Sequence, residues 1–169
     1  METIFFQGIE CHTCGMVPAV GSKAPTFDLV TKDLTEIRPE DCEGKKIVLN
    51  VFPSLDTPVC AASVRRFNAE AAGMKDTVVI CVSMDLPFAA SRFCSAEGID
   101  NCVAASAFRS PLFGEKYGLQ IVDGPLKGLL ARAVIIIDAN RNIVYRDLVN
   151  EITNEPDYAG ALDIIKNVM

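Results

Sequence analysis

Three runs of the chain, KIVLNVF (Lys46–Phe52), TVVICVSM (Thr77–Met84) and RAVIIID (Arg132–Asp138), are β-branched and almost unbroken in their apolar character. A strand wetted on one side alternates apolar and polar residues, whereas a strand covered on both faces does not. Between these runs lie stretches with helical periodicity: one after Thr57, one from Pro87 to Glu97 that stops at Gly98, and one over Ser110–Tyr117. A last helix is predicted from Pro156 to Val168, capped near Asn154 or Glu155. Buried strands alternating with helices require an α/β layer structure. IVYRDLV (Ile143–Val149), joined to the third run by the turn ANRN, adds a hairpin and makes the sheet mixed. TFDLVT (Thr26–Thr31) alternates as an exposed strand would. The first twenty residues read as an arm or hairpin, with strands in TIFFQG and around Met16 and Val17.

At 169 residues the chain can bury a core without disulfide staples. Half of it is hydrophobic and 22% is charged, which fits a globular protein. The net charge of -6, with no basic tract, argues against nucleic acid and anionic membrane as partners. No secretory signal and no apolar stretch of membrane-spanning length stand out, so a cytoplasmic protein is expected. In that compartment thiols stay reduced unless they are catalytic or redox-sensing. The seven cysteines, an odd count, form no tidy disulfide framework. His12 is the sole histidine, which removes most Ser-His-Asp and Cys-His hydrolase chemistry.

The cysteine with the most informative surroundings is Cys60, in NVFPSLDTPVC. With Thr57 as N-cap, Pro58 takes the first helical position and Cys60 the third. Cys60, Val64, Phe67, Ala71 and Met74 then share one helix face, turned inward. A thiol in a first turn sits by unpaired backbone N–H groups and the positive end of the helix dipole, which favours its anion. Converting a few per cent of thiolate into nearly all thiolate is worth only about 2 kcal/mol, whereas enzymes supply about 8 kcal/mol or more. Such a site must also stabilise the charge that shifts onto substrate and leaving group.

PSLDTPVC fits the peroxiredoxin pattern of Pro, three residues, Thr, two residues, Cys. The longer string VLNVFPSLDTPVCAASVRRFN resembles the bacterial thiol peroxidase branch, the atypical 2-Cys peroxiredoxins. The likeness continues through SMDLPFAASRFCSAEGI, DGPLKGLLARAVIIID and LVNEITNEPDYAGAL, and spans the chain from about Gly21 onward. It implies a thioredoxin-like fold, with a mixed central sheet flanked by helices and an N-terminal β-hairpin. Residues 1–20 would be the arm and 21–169 the peroxiredoxin domain, a single domain overall.

By the same resemblance Cys60 matches the peroxidatic cysteine, which attacks the O–O bond and becomes a sulfenic acid. Thr57 matches the residue whose hydroxyl contacts thiolate and peroxide, and Pro53 the proline that shields the pocket. Arg132 matches the arginine that stabilises the thiolate and polarises the peroxide. Read on its own, Arg132 is a cation at a strand end suited to a carboxylate partner. Cys94, in SRFCSAEG, matches the resolving cysteine of an intramolecular disulfide that thioredoxin reduces. Because Cα atoms more than about 7 Å apart cannot be bridged without backbone movement, turnover is expected to require unwinding around both cysteines.

The family implies hydrogen peroxide and organic hydroperoxides as substrates, a homodimer, and neither cofactor nor metal. CHTC (Cys11 to Cys14) departs from its pattern. It is read as without function, with an extra redox pair or a weak metal site as the alternatives, since a single C-x-x-C without a second pair is a poor zinc signal. Cys81 reads as core packing, and Cys42 and Cys102 as idle thiols at element ends, with a Cys94–Cys102 side disulfide worth checking. A thioredoxin-fold peroxide sensor that passes oxidation to a partner protein is the main alternative. A zinc-bearing regulatory protein is a third.

Overall fold

A computed structural model describes residues 1–168. A hairpin comes first, β1 (Thr3–Phe6) with β2 (Ile9–His12). There follow β3 (Leu29–Thr31), β4 (Glu36–Ile37), a 3-10 turn at Pro39–Cys42, β5 (Lys46–Val51), α1 (Pro58–Ala71) and β6 (Thr77–Ser83). Next come α2 (Pro87–Glu97), β7 (Val103–Ser106), α3 (Pro111–Lys116), β8 (Ala133–Ile137), β9 (Ile143–Leu148) and α4 (Tyr158–Asn167). The seven-stranded sheet runs β4-β3-β7-β6-β5-β8-β9, parallel from β5 through β6 to β7 and antiparallel elsewhere.

The period of two explains how the sheet is covered. In β5, Ile47, Leu49 and Val51 enter one core layer while Val48 enters the other. In β8 the same split sends Ile135 and Ile137 one way and Val134 and Ile136 the other. One layer packs under α3 and the hairpin, through Phe113, Tyr117, Ile4 and Cys11. The second packs under α1, α2 and α4, and it contains Cys60, Cys81, Cys94 and Cys102. The three apolar runs are therefore the middle of a two-sided sheet, as their composition requires.

Several expectations need correction. The second hairpin strand is Ile9–His12 and not the Met16–Val17 region, because Gln7 and Gly8 both adopt positive φ and close a two-residue turn directly after Phe6. TFDLVT shortens to Leu29–Thr31. The sheet also recruits β4 and β7, which the pattern did not reveal. The sequence of β7 is VAAS, alanine-rich and weak in β preference, so its state is set by lying between β3 and β6. The last helix is capped by Asp157, whose carboxylate accepts from the Gly160 N–H at 3.0 Å, and not by Asn154 or Glu155.

Two contacts fix the periphery. Lys46, 5% exposed, donates its ammonium to the carbonyls of Ile165 (2.6 Å) and Val168 (2.8 Å), satisfying acceptors at the end of α4. Lys46→Ala is expected to lower the unfolding free energy by about 2 kcal/mol, since charged hydrogen bonds to otherwise bare carbonyls are lost. An unshifted urea midpoint would refute that assignment. Gly118, just past α3, has φ +65°, and a Cβ there would fall 2.3 Å from the Met16 carbonyl oxygen. The N-terminal arm thus crosses directly over a residue that must be glycine.

Candidate active site

The buried strand β5 delivers the chain to Phe52, whose N–H donates to the Val82 carbonyl, and the loop Pro53–Thr57 then turns into α1. Asp85, just after β6, holds this loop. It accepts from the Ser54 hydroxyl (2.8 Å), the Leu55 N–H (2.7 Å) and the Ser83 hydroxyl (2.7 Å). Thr57 is the N-cap and Pro58 the first helical residue, as read from sequence. The Thr57 hydroxyl, however, donates to the Ser54 carbonyl at 3.0 Å and makes no cap hydrogen bond. The first-turn N–H groups of α1 therefore lack their usual side-chain acceptor.

Cys60 is fully buried on the inward face. Arg132, which precedes β8, reaches it with Nη2 at 3.2 Å from the sulfur. Arg132 is itself 2% exposed, its Nε donates to the Ile152 carbonyl at 2.8 Å, and its Nη1 has no partner. No carboxylate pairs with this guanidinium among the described residues, so the carboxylate reading of Arg132 is not met. A buried, unpaired cation is costly, and the sulfur is the side-chain atom placed to offset it.

A pocket of about 240 Å³ is bounded by Pro53, Thr57 and Arg132, with Cys60 buried behind these lining residues. Its walls are apolar: Phe6 from the hairpin tip, Val59, Leu126, Leu129 and Ile152. A larger surface groove of about 470 Å³ runs past Glu36, Arg38 and Arg109, and Arg132 is not part of it. Its charges pair with one another, Arg38 to Asp28 and Glu36, and Arg109 to Glu36.

Pro53, Thr57 and Arg132 thus share one pocket, Arg132 links it to the buried Cys60, and Cys94 neither lines the pocket nor contacts Arg132. It lies toward the end of α2, 4% exposed, and its backbone carbonyl accepts from Gly98 and Ile99. Burial pushes its thiol up to about 11, with Cys102 next in effect. All seven cysteines are free. Cys11 and Cys14 are separated in role as well. The Cys11 thiol is directed to the Ile9 carbonyl and the Cys14 thiol to the Gly114 carbonyl.

Sequence reading missed Asp85, Ile152 and the hairpin tip. Asp85 lies inside a matched string, but nothing in its neighbours announces two hydrogen bonds to a loop thirty positions away. Ile152 contributes a carbonyl, which no side-chain pattern encodes. Glu151 was also missed. Its carboxylate accepts from the N–H groups of Thr153, Gln7 and Gly8 and from the Thr153 hydroxyl, clasping the hairpin turn to the pocket rim. These bonds, those from Thr153 and Gly8 foremost, hold its carboxyl at about 2, against an ordinary 4.5. A depressed carboxyl stabilises the fold above its unfolded value and loses that contribution as pH falls through its folded value. The clasp is therefore expected to persist at pH 5 and release between about pH 4.5 and 2, with Glu151→Gln removing that part of the acid dependence. Amide exchange of Gln7 and Gly8 against pH checks this. Exchange already fast at pH 5 would contradict it.

The chain is similar to known proteins over nearly its whole length. The Redoxin family signature spans residues 19–162. The chain is 53% identical over 162 residues to a thiol peroxidase of Corynebacterium glutamicum, covering 96% of this chain and 98% of that one. It is also 53% identical to a thiol peroxidase of Mycobacterium tuberculosis, covering 96% and 97%. A crystal structure of a peroxiredoxin-like protein from Aquifex aeolicus superposes with a TM-score of 0.95 at 42% identity, covering 100% of this chain and 98% of that one. A thiol peroxidase structure from Chromobacterium violaceum shares the fold, with a TM-score of 0.86 at 20% identity over 97% and 95% of the two chains.

Proposed function

Because this chain belongs to the Redoxin family, and within it to the thiol peroxidases, we propose that it reduces hydrogen peroxide and organic hydroperoxides through Cys60. The Cys60 thiolate attacks the nearer peroxide oxygen, the O–O bond breaks, and hydroxide or alkoxide leaves to take up a proton. The sulfur gains that oxygen as a sulfenic acid. The Arg132 Nη2 that faces the thiolate, and the free Nη1 beside it, supply the donors that the departing oxygen needs. Thr57 and Pro53 border the same space and shape the approach of the peroxide. Cys94 then attacks the sulfenic sulfur, a disulfide forms, and water leaves. Thioredoxin returns both thiols.

The observation that carries this reading is the 3.2 Å contact between Cys60 and a buried guanidinium with no carboxylate. The burial of Cys94 in α2 supports the expected unwinding, because a thiol held up to about 11 is a weak nucleophile until exposed. Hydrogen exchange equally slow in reduced and disulfide forms across both helices would remove that step. The apolar pocket walls favour hydroperoxides with hydrocarbon groups over hydrogen peroxide. From the resemblance we also propose a cytoplasmic homodimer that works without cofactor or metal, with residues 21–169 as its domain. No helix among the described residues is long and apolar enough to cross a membrane.

The test is NADPH oxidation with thioredoxin and its reductase, using cumene hydroperoxide and hydrogen peroxide in turn. Turnover with both is expected, at higher kcat/KM for the former. A protein that becomes oxidised by peroxide but turns over with no reductant, and passes its oxidation to another protein, would instead be a sensor.

A further inference from the structure

We propose that Cys81 and Cys102 form a second dithiol, which takes over the oxidation of the Cys60–Cys94 disulfide. The inference rests on the peroxidase reading above. Cys81 lies in β6, and Cys102 immediately precedes β7. The parallel register pairs Ile80 with Val103 and Cys81 with Ala104, so Cys102 continues the ladder opposite Val79. Residues 79 and 81 share a face, and both cysteines point into the layer that also holds Cys60 and Cys94.

Their sulfurs are already 3.7 Å apart. A disulfide needs about 2.05 Å, so closing it asks for a shift of under about 2 Å between adjacent strands. No helix has to unwind. The two thiols also differ in setting. Cys81 is the inner one, and its S–H is directed at the Cys102 sulfur. Cys102 borders a surface depression of about 320 Å³ lined by Lys32 and Asp33, so it is the member open to the outside. Cys94 shares a core layer with Cys102, on the helix α2 that packs against β7, which puts the outer thiol near the resolving one.

The exchange balances without an outside oxidant. The Cys102 thiolate attacks the Cys94 sulfur of the Cys60–Cys94 bridge, forming a Cys94–Cys102 bond and expelling Cys60 as thiolate. Cys81, giving up its proton, attacks the Cys102 sulfur and expels Cys94, which is protonated. One disulfide is consumed and one is made. Two thiols are oxidised, two are reduced, and Cys60 is free to meet another peroxide.

A fully reduced chain would then consume roughly two equivalents of peroxide before it needs any external reductant, and not one. The experiment titrates reduced protein with hydrogen peroxide in the absence of thioredoxin, then blocks thiols in acid and maps bridges by mass spectrometry. Wild-type protein is expected to consume about two equivalents and to carry Cys60–Cys94 and Cys81–Cys102 bridges together. Cys102→Ser, and separately Cys81→Ala, should stop at about one equivalent with Cys60–Cys94 alone. Wild-type protein that stops at about one equivalent with only Cys60–Cys94 would overturn the relay and leave the peroxidase intact. A Cys94–Cys102 bridge as the final product would overturn it too. If no peroxide is consumed and no bridge forms, the peroxidase reading falls and the relay with it.

Discussion

Cys60→Ser is expected to lose peroxide reduction by about four orders of magnitude in kcat/KM, leaving nothing measurable above the uncatalysed rate. The reason is chemical and not steric. A serine hydroxyl is almost never ionised near neutrality, and its oxygen cannot accept a second oxygen and later surrender it to a thiol. The fold should tolerate the change, because the site already joins polar groups: Arg132 can donate to a hydroxyl where it now meets sulfur at 3.2 Å. Stopped-flow peroxide consumption by folded variant, judged by an unchanged circular dichroism spectrum, is the measurement. A variant that kept a tenth of wild-type turnover would show that another thiol starts the reaction.

Arg132→Met should separate catalysis from stability. It removes the donors that face the developing charge, and the loss of one such donor typically costs about 10²- to 10³-fold in rate. Met fills similar space without a charge, so the buried Nη1 that now has no partner disappears with it. The Ile152 carbonyl loses its 2.8 Å hydrogen bond in exchange. These two effects oppose each other, and replacing buried ionic groups by apolar ones is often neutral or stabilising. The expected outcome is a Tm within a few degrees of wild type beside a rate lower by about 10²-fold or more. Activity and Tm that fell together, with normal turnover per folded molecule, would make Arg132 a structural residue only.

The core of this fold was legible because burial on both faces leaves no choice of residue. IVLNV, VVICV and AVIII can only be central strands of a covered sheet in a chain of this size. VAAS at 103–106 was illegible for the converse reason: its residues suit several states, and the neighbours β3 and β6 decide between them. The site divides in the same way. Thr57, Pro58 and Cys60 are close in sequence, and helix-start chemistry relates them locally. Arg132 meets Cys60 across 72 positions, so only its likeness to a family suggested the encounter. The carbonyl of Ile152, the carboxylate of Asp85 and the tip of the hairpin are set by packing. The Cys81–Cys102 contact belongs with them, since strand register alone brings those sulfurs together.

The crossing at Gly118 has a consequence for the oxidant's point of entry. Residue 118 has no room for even one added carbon beneath Met16, so the arm lies this close only because that side chain is absent. Upstream of that pin, a few residues lead back to the hairpin whose Phe6 walls the pocket. On the proposed peroxidase reading, a single absent methyl group thereby helps seat the leading segment beside the pocket and gives that segment a share in which peroxide would be admitted.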